Sequence, residues 1–185
     1  VFGASLVVSP AATLARTAGL AADSAEIAVV RTVAQFLGFG LACAVFVYYA
    51  DARDLIAVRV PSLREAALVA GGVVTLLGLQ FGLLLGLAEL GLEAGQNRAI
   101  TTDGRPPVYF LYMVAVSVLF VGPAEELLFR GIVQGHVRRV AGPVAAVAFA
   151  SLVFGVIHFA SVTGGVGAQA AYILVATLLG ALLGV

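Results

Sequence analysis

Glu125 and Glu126 stand five and four residues before Arg130 in the stretch P-A-E-E-L-L-F-R-G-I-V-Q-G-H-V-R, residues 123–138. Almost pure hydrocarbon, residues 108–122, precedes them. Ionisable groups inside an apolar segment are costly unless paired or wetted, and they mark functional sites. On a helix starting near Pro123, Glu126 and Arg130 share a face in the Glu-before-Arg order that favours pairing. Glu125 is turned about 100° away from its neighbour. One carboxylate is then neutralised, and the other is the candidate for proton transfer as general base or acid.

A plainer explanation exists. Acidic residues in the first turn of a helix opened by proline favour the macrodipole without any function. Depth argues against it. Arg138 and Arg139 mark a membrane surface, and Glu125 lies about 20 Å of helix before them. The next apolar segment holds Phe154-Gly-Val-Ile-His158, and no Asp, Glu, Arg or other His lies between Pro143 and Val185. The short connection at 138–143 makes the two helices antiparallel neighbours. Glu125 and His158 then stand about 22–26 Å from that turn, one on each helix, so carboxylate and imidazole are expected at one level. The bland alternative is a histidine that hydrogen-bonds a neighbouring helix. His136, about 16 Å along the helix from Glu125 and beside Arg138, reads as interfacial and is left out. Ser161 and Thr163 lie among glycines that read as a mobile loop.

The elements that must position these groups are membrane helices. Of 185 residues 62% are hydrophobic and 11% charged, with a mean hydropathy of +1.10; soluble domains carry about 25% charged residues. Spans are expected at 27–50, 66–90, 108–137, 144–159 and from about 168 onward, giving an all-α, polytopic transmembrane bundle. Asp23 or Ser24 is expected to cap the first span. Residues 9–26 read as an interfacial connection, and 51–65 and 89–107 as polar loops. Pro123 predicts a kink or break. Gly78, Gly82 and Gly86, like Gly180 and Gly184, repeat every four residues and predict close helix contact. Zero net charge argues against nucleic acid as a partner. Cys43 reads as a buried small hydrophobe. Both ends fall in apolar sequence and read as cuts in a longer chain.

E-E-L-L-F-R-G at 125–131 followed by F-G-V-I-H at 154–158 resembles the CPBP (CAAX protease and bacteriocin-processing, or Abi) family of intramembrane proteases, which includes the type II CAAX prenyl endopeptidases. Its motifs Glu-Glu-x-x-x-Arg and Phe-x-x-x-His are both complete here. The resemblance implies a catalytic core over 108–185, preceded by N-terminal transmembrane helices and loops over 1–107. It implies Glu125 as general base and His158 as its partner on the attacking water, with Glu126, Arg130 and Phe154 in support. A divalent metal such as zinc, held by Glu125 and His158, is the family's alternative to those residues acting alone. Two ligands are fewer than the three a catalytic zinc usually takes. The implied substrate is a membrane-embedded or lipidated peptide, in the bilayer of a prokaryotic cell membrane. The family's third motif, His-x-x-x-Asn, is expected beyond Val185. Two other readings stay open: a non-catalytic scaffold or bacteriocin-immunity protein of the same fold, and a proton-coupled transporter.

Overall fold

The computed structural model describes residues 2–21, 24–56, 62–99, 101 and 104–184, with backbone alone for 2–6. Asp23, residues 57–61 of the first polar loop, and Val185 lie outside them. The described residues are helical and contain no strand. Four helical stretches among them are long and apolar enough to cross a bilayer. The chain is an all-α, integral, multi-pass membrane protein.

The chain divides into two compact units, residues 1–56 with 102–132 and residues 57–101 with 133–185. In the first unit, α1 (Phe2–Thr17) packs on α2 (Ala25–Tyr49). Residues 9–17 are thus helix, not the connection expected from their mixed composition. Ala12 and Ala15 are buried small side chains that let α1 lie close to α2. Ser24 caps α2, its hydroxyl accepting from the Ile27 amide at 3.2 Å, which satisfies one of the four orphan donors of a helix start. Pro106 and Pro107 open α4 (Pro107–Val116). The guanidinium of Arg105 lies 4.3 Å from the ring centre of the buried Tyr109, a cation–π contact that fixes the entry of the helix.

The kink expected at Pro123 is replaced by a widened turn. After α4 the backbone makes π-helical bonds over Ser117–Val121, continues through α5 (Gly122–Glu126) and widens again over Leu127–Gln134. The Gly122 amide donates to the Ser117 carbonyl, five residues back. A proline lacks the amide that the carbonyl four residues back would accept, and its ring crowds that carbonyl. Opening the turn to a five-residue spacing relieves both constraints while φ and ψ stay helical at Val121 and Gly122.

In the second unit, α3 (Leu63–Glu89) starts at a capping box between Ser62 and Glu65, and packs on α7 (Val166–Gly184). The half-buried Leu76, Leu83, Leu84 and Leu87 form one stripe of α3. Gly78, Gly82 and Gly86 lie off that stripe, with no atom within 4 Å of where a Cβ would stand. The close contact expected from their spacing is therefore not made by the described residues. Gly180 and Gly184 do make it, against α6 (Gly135–Ile157): Ser151 and Phe154 lie at Gly180, and Gln134 and Val147 at Gly184.

Gly142 interrupts α6 with φ 81° and ψ 175°, a conformation that strains any residue with a Cβ. Gln134 Nε2 donates to the Gly184 carbonyl at 2.8 Å, and Val147 reaches the same glycine. In a straight helix residues 134 and 147 would stand about 20 Å apart, so the chain folds back at Gly142.

Candidate active site

The helix through 117–134 changes what the carboxylates mean. Glu125 and Glu126 do not follow a free helix start, because Val121, Gly122 and the residues before them are already helical. No exposed amide cluster exists there for the macrodipole to act through, and the plainer explanation of the acidic pair loses its basis. The pair sits between two π-helical segments, a rare geometry that recurs at functional sites.

Glu126 Oε2 lies 3.8 Å from Arg130 Nε, so the i,i+4 pair forms. The Arg130 side chain is 13% exposed and that of Glu126 53%, so the arginine is enclosed and the carboxylate stands at the rim. Below them Ile132 joins Cys43 and Val47 in a buried cluster flanked by Leu127 and Leu128, and Phe129 is buried. Cys43 is the buried apolar residue its sequence context suggests. Glu125 is half-buried.

His158 lies in the second unit, in the 3₁₀ turn His158–Ser161 that ends α6. Its Nδ1 is 2.6 Å from the Phe154 carbonyl oxygen. A carbonyl only accepts, so Nδ1 carries the proton and the lone pair of the neutral ring is on Nε2. A ligating or proton-accepting histidine is oriented in this way by a second partner. Phe154 also sets its ring against the imidazole at a tilt of 53°, with ring centres 4.7 Å apart. Both its carbonyl and its ring hold the histidine, a physical reason for a Phe-x-x-x-His spacing.

Two neighbours of His158 were not legible as such. The Tyr172 ring on α7 is 6.3 Å away, and its hydroxyl accepts from Asn97 Nδ2 at 3.5 Å. A tyrosine in the interior of a span, not at its interfacial end, was the available signal. Asn97 belongs to a clamp. Gly95 N donates to the Ala168 carbonyl at 2.8 Å, Arg98 N to Ser161 at 2.9 Å, and Thr163 N to Gln96 at 2.9 Å. The loop at 161–165, expected to be mobile, is thus pinned to the α3–α4 loop. Gly95 permits the approach, since a Cβ there would overlap the Thr163 carbonyl and the Val162 side chain. Gly95→Val is therefore expected to break the clamp and speed amide hydrogen exchange at Arg98 and Thr163 by about tenfold or more, equivalent to about 1.4 kcal/mol of local stability. Unchanged exchange at both amides would show that the clamp is not needed. His136 lies in α6 of the second unit.

Among the described residues no three of His, Cys, Asp and Glu gather into a metal-ligand group. The orientation of His158 suits a ligand, but the donor set is short of the three protein ligands of a catalytic zinc, and no step below is routed through a metal.

The fold and these residues define a multi-pass membrane protein with acid–base groups set in its helices. Residues 107–185, which hold both motifs, match the sequence model of the family described as type II CAAX prenyl endopeptidase Rce1-like. This part of the chain is similar to that family, in keeping with the CPBP resemblance of its motifs. No curated protein and no solved structure matches the chain.

Proposed function

We propose that the chain is an endopeptidase that hydrolyses a peptide bond of a membrane-associated substrate, of which a prenylated CAAX-type peptide is the leading candidate, with water activated by Glu125 and His158. The observation that carries this reading is the His158 Nδ1 bond to the Phe154 carbonyl, which holds the imidazole in one orientation and puts the acceptor of its neutral form on Nε2. The family match over the segment bearing both motifs supports it. So does the sequence spacing, which puts Glu125 and His158 at similar distances along the sequence from the turn at 138–143.

In the proposed reaction His158 Nε2 orients the water and Glu125 removes one of its protons. The hydroxide adds to the scissile carbonyl carbon, the C–N bond breaks, and the proton held by Glu125 passes to the departing amine. Glu126 and Arg130 offset one another and keep the second carboxylate out of the chemistry. The test is cleavage of a farnesylated peptide, and of a panel of membrane-tethered peptides, by the reconstituted chain. Equal activity in wild type, Glu125→Gln and His158→Ala would sink the mechanism. Proton-coupled transport of solute in proteoliposomes without cleavage would favour a transporter.

A further inference from the structure

The α1–α2 pair carries a polar pocket that the proposed chemistry does not use. It has a volume of about 340 Å³ and is lined by Val8, Ser9, Ala12, Thr13 and Arg16 of α1 and Arg31 of α2, at the lower end of ligand-pocket volumes. Arg16 folds back along its helix, Nη2 lying 3.5 Å from the Thr13 hydroxyl, so it leans toward the pocket. Neither Arg16 nor Arg31 has a carboxylate within ion-pair distance among the described residues. Two like charges that line one concavity beside apolar helices repel each other, and an anion between them removes that cost.

The pocket's place in the fold selects the anion. Arg16 is in the last turn of α1, and Arg31 lies about 9 Å of helix into α2. Both are near the end at which α2, long and apolar enough to cross a bilayer, begins; a spanning helix meets the headgroup layer at its ends, and basic pockets beside helices bind lipid phosphates there. The opposite flank of the same pair is a groove of similar size lined by aliphatic residues, among them Val7, Ala11, Val30, Val33 and Leu37. The two arginines and two hydroxyls are thus confined to one side of the contact.

We infer that this pocket is a phosphate-recognition site, and that its occupant is the phosphodiester headgroup of an anionic phospholipid. The guanidinium groups of Arg16 and Arg31 bind the phosphate oxygens in the planar, forked geometry arginine favours; Ser9 supplies a hydroxyl at its edge, and Thr13, whose own proton goes to the Ser9 carbonyl at 2.9 Å, accepts from Arg16 and positions it. The site is independent of Glu125 and His158, so it stands or falls apart from the peptidase reading.

The test uses the full chain in nanodiscs of phosphatidylcholine with or without phosphatidylglycerol, with retained lipid counted by native mass spectrometry. Retention of phosphatidylglycerol is expected to weaken about fivefold in R16Q and in R31Q, and about 25-fold in the double variant. R64Q, at the start of α3, is the control and is expected to retain lipid as wild type does. Inorganic phosphate titrated into pure phosphatidylcholine discs is the second arm. Thermal protection by phosphate that R16Q and R31Q abolish would keep the anion site but assign it to a soluble anion, overturning the lipid. Equal phosphatidylglycerol retention by wild type and the double variant would overturn the site. Thr13→Val, which leaves both charges in place, carries the test where an arginine variant does not fold: a loss of about threefold is expected, and no loss counts against the proposal.

Discussion

Glu125→Gln is expected, on the proposed function, to lower kcat for peptide cleavage by about 10²–10⁴-fold with little change in KM, the contribution a positioned general base makes. The amide keeps the shape of the side chain and cannot take the proton. Glu126→Gln is expected to behave differently. Its carboxylate faces Arg130 at 3.8 Å, and removing the charge takes an ion-pair partner from an enclosed guanidinium. The loss should therefore fall more on thermal stability than on kcat. Measuring both quantities for both variants separates the roles. A large kcat loss in Glu126→Gln with none in Glu125→Gln would exchange them, and a matching loss of stability in Glu125→Gln would make that residue structural.

The second large effect concerns packing. Gly155→Ala is expected to destabilise the protein by about 1–3 kcal/mol, the usual cost of forcing a methyl into a filled core. A Cβ at Gly155 would overlap the Thr177 hydroxyl and stand 2.8 Å from the Ile173 carbonyl oxygen and 3.2 Å from the Thr177 amide. Two of those three obstacles are backbone and cannot turn aside. The residue is also three positions before His158, so a displaced α6 should reduce activity as well. Gly82→Ala makes the contrast, because nothing lies within 4 Å of its Cβ position. There the methyl limits the unfolded chain and is expected to be neutral or to stabilise by about 0.5–1 kcal/mol. Thermal unfolding of the two variants in one detergent checks the pair. Equal Tm values would remove the distinction between a glycine packed against a neighbouring helix and one that meets nothing.

That contrast shows where sequence reasoning ran out. Spacing identified both glycine repeats as possible helix contacts, but spacing is a property of one helix and contact needs two. Gly180 and Gly184 met Ser151 and Val147; Gly78, Gly82 and Gly86 met nothing among the described residues. The spans were legible because length and apolarity are local, and the Ser24 cap because capping acts within one turn. The same holds for Glu126 with Arg130, four residues apart on one helix. Pro123 was a correct warning of backbone trouble with the wrong remedy, since sequence does not say whether a helix yields by bending or by widening. Asn97 and Tyr172 were missed because they are 75 residues apart, and no local pattern joins them. Thr163 was misjudged as mobile because its glycine neighbours suggested freedom, whereas its amide is held by Gln96.

The clamp at Gly95–Arg98 has a consequence for timing. Its two halves are far apart in the chain: Thr163 binds Gln96 across 67 positions. During synthesis the earlier half emerges first, and it has no partner until residues 161–168 follow. The end of the turn that holds His158, at Ser161, and Thr163 beyond it gain their bonds to Arg98 and Gln96 only after that long loop has closed. On the proposed reading, a chain part-way through synthesis lacks a finished histidine site, and a hydrolase born inside a membrane is kept from cutting its neighbours until residues 161–168 have met their partners.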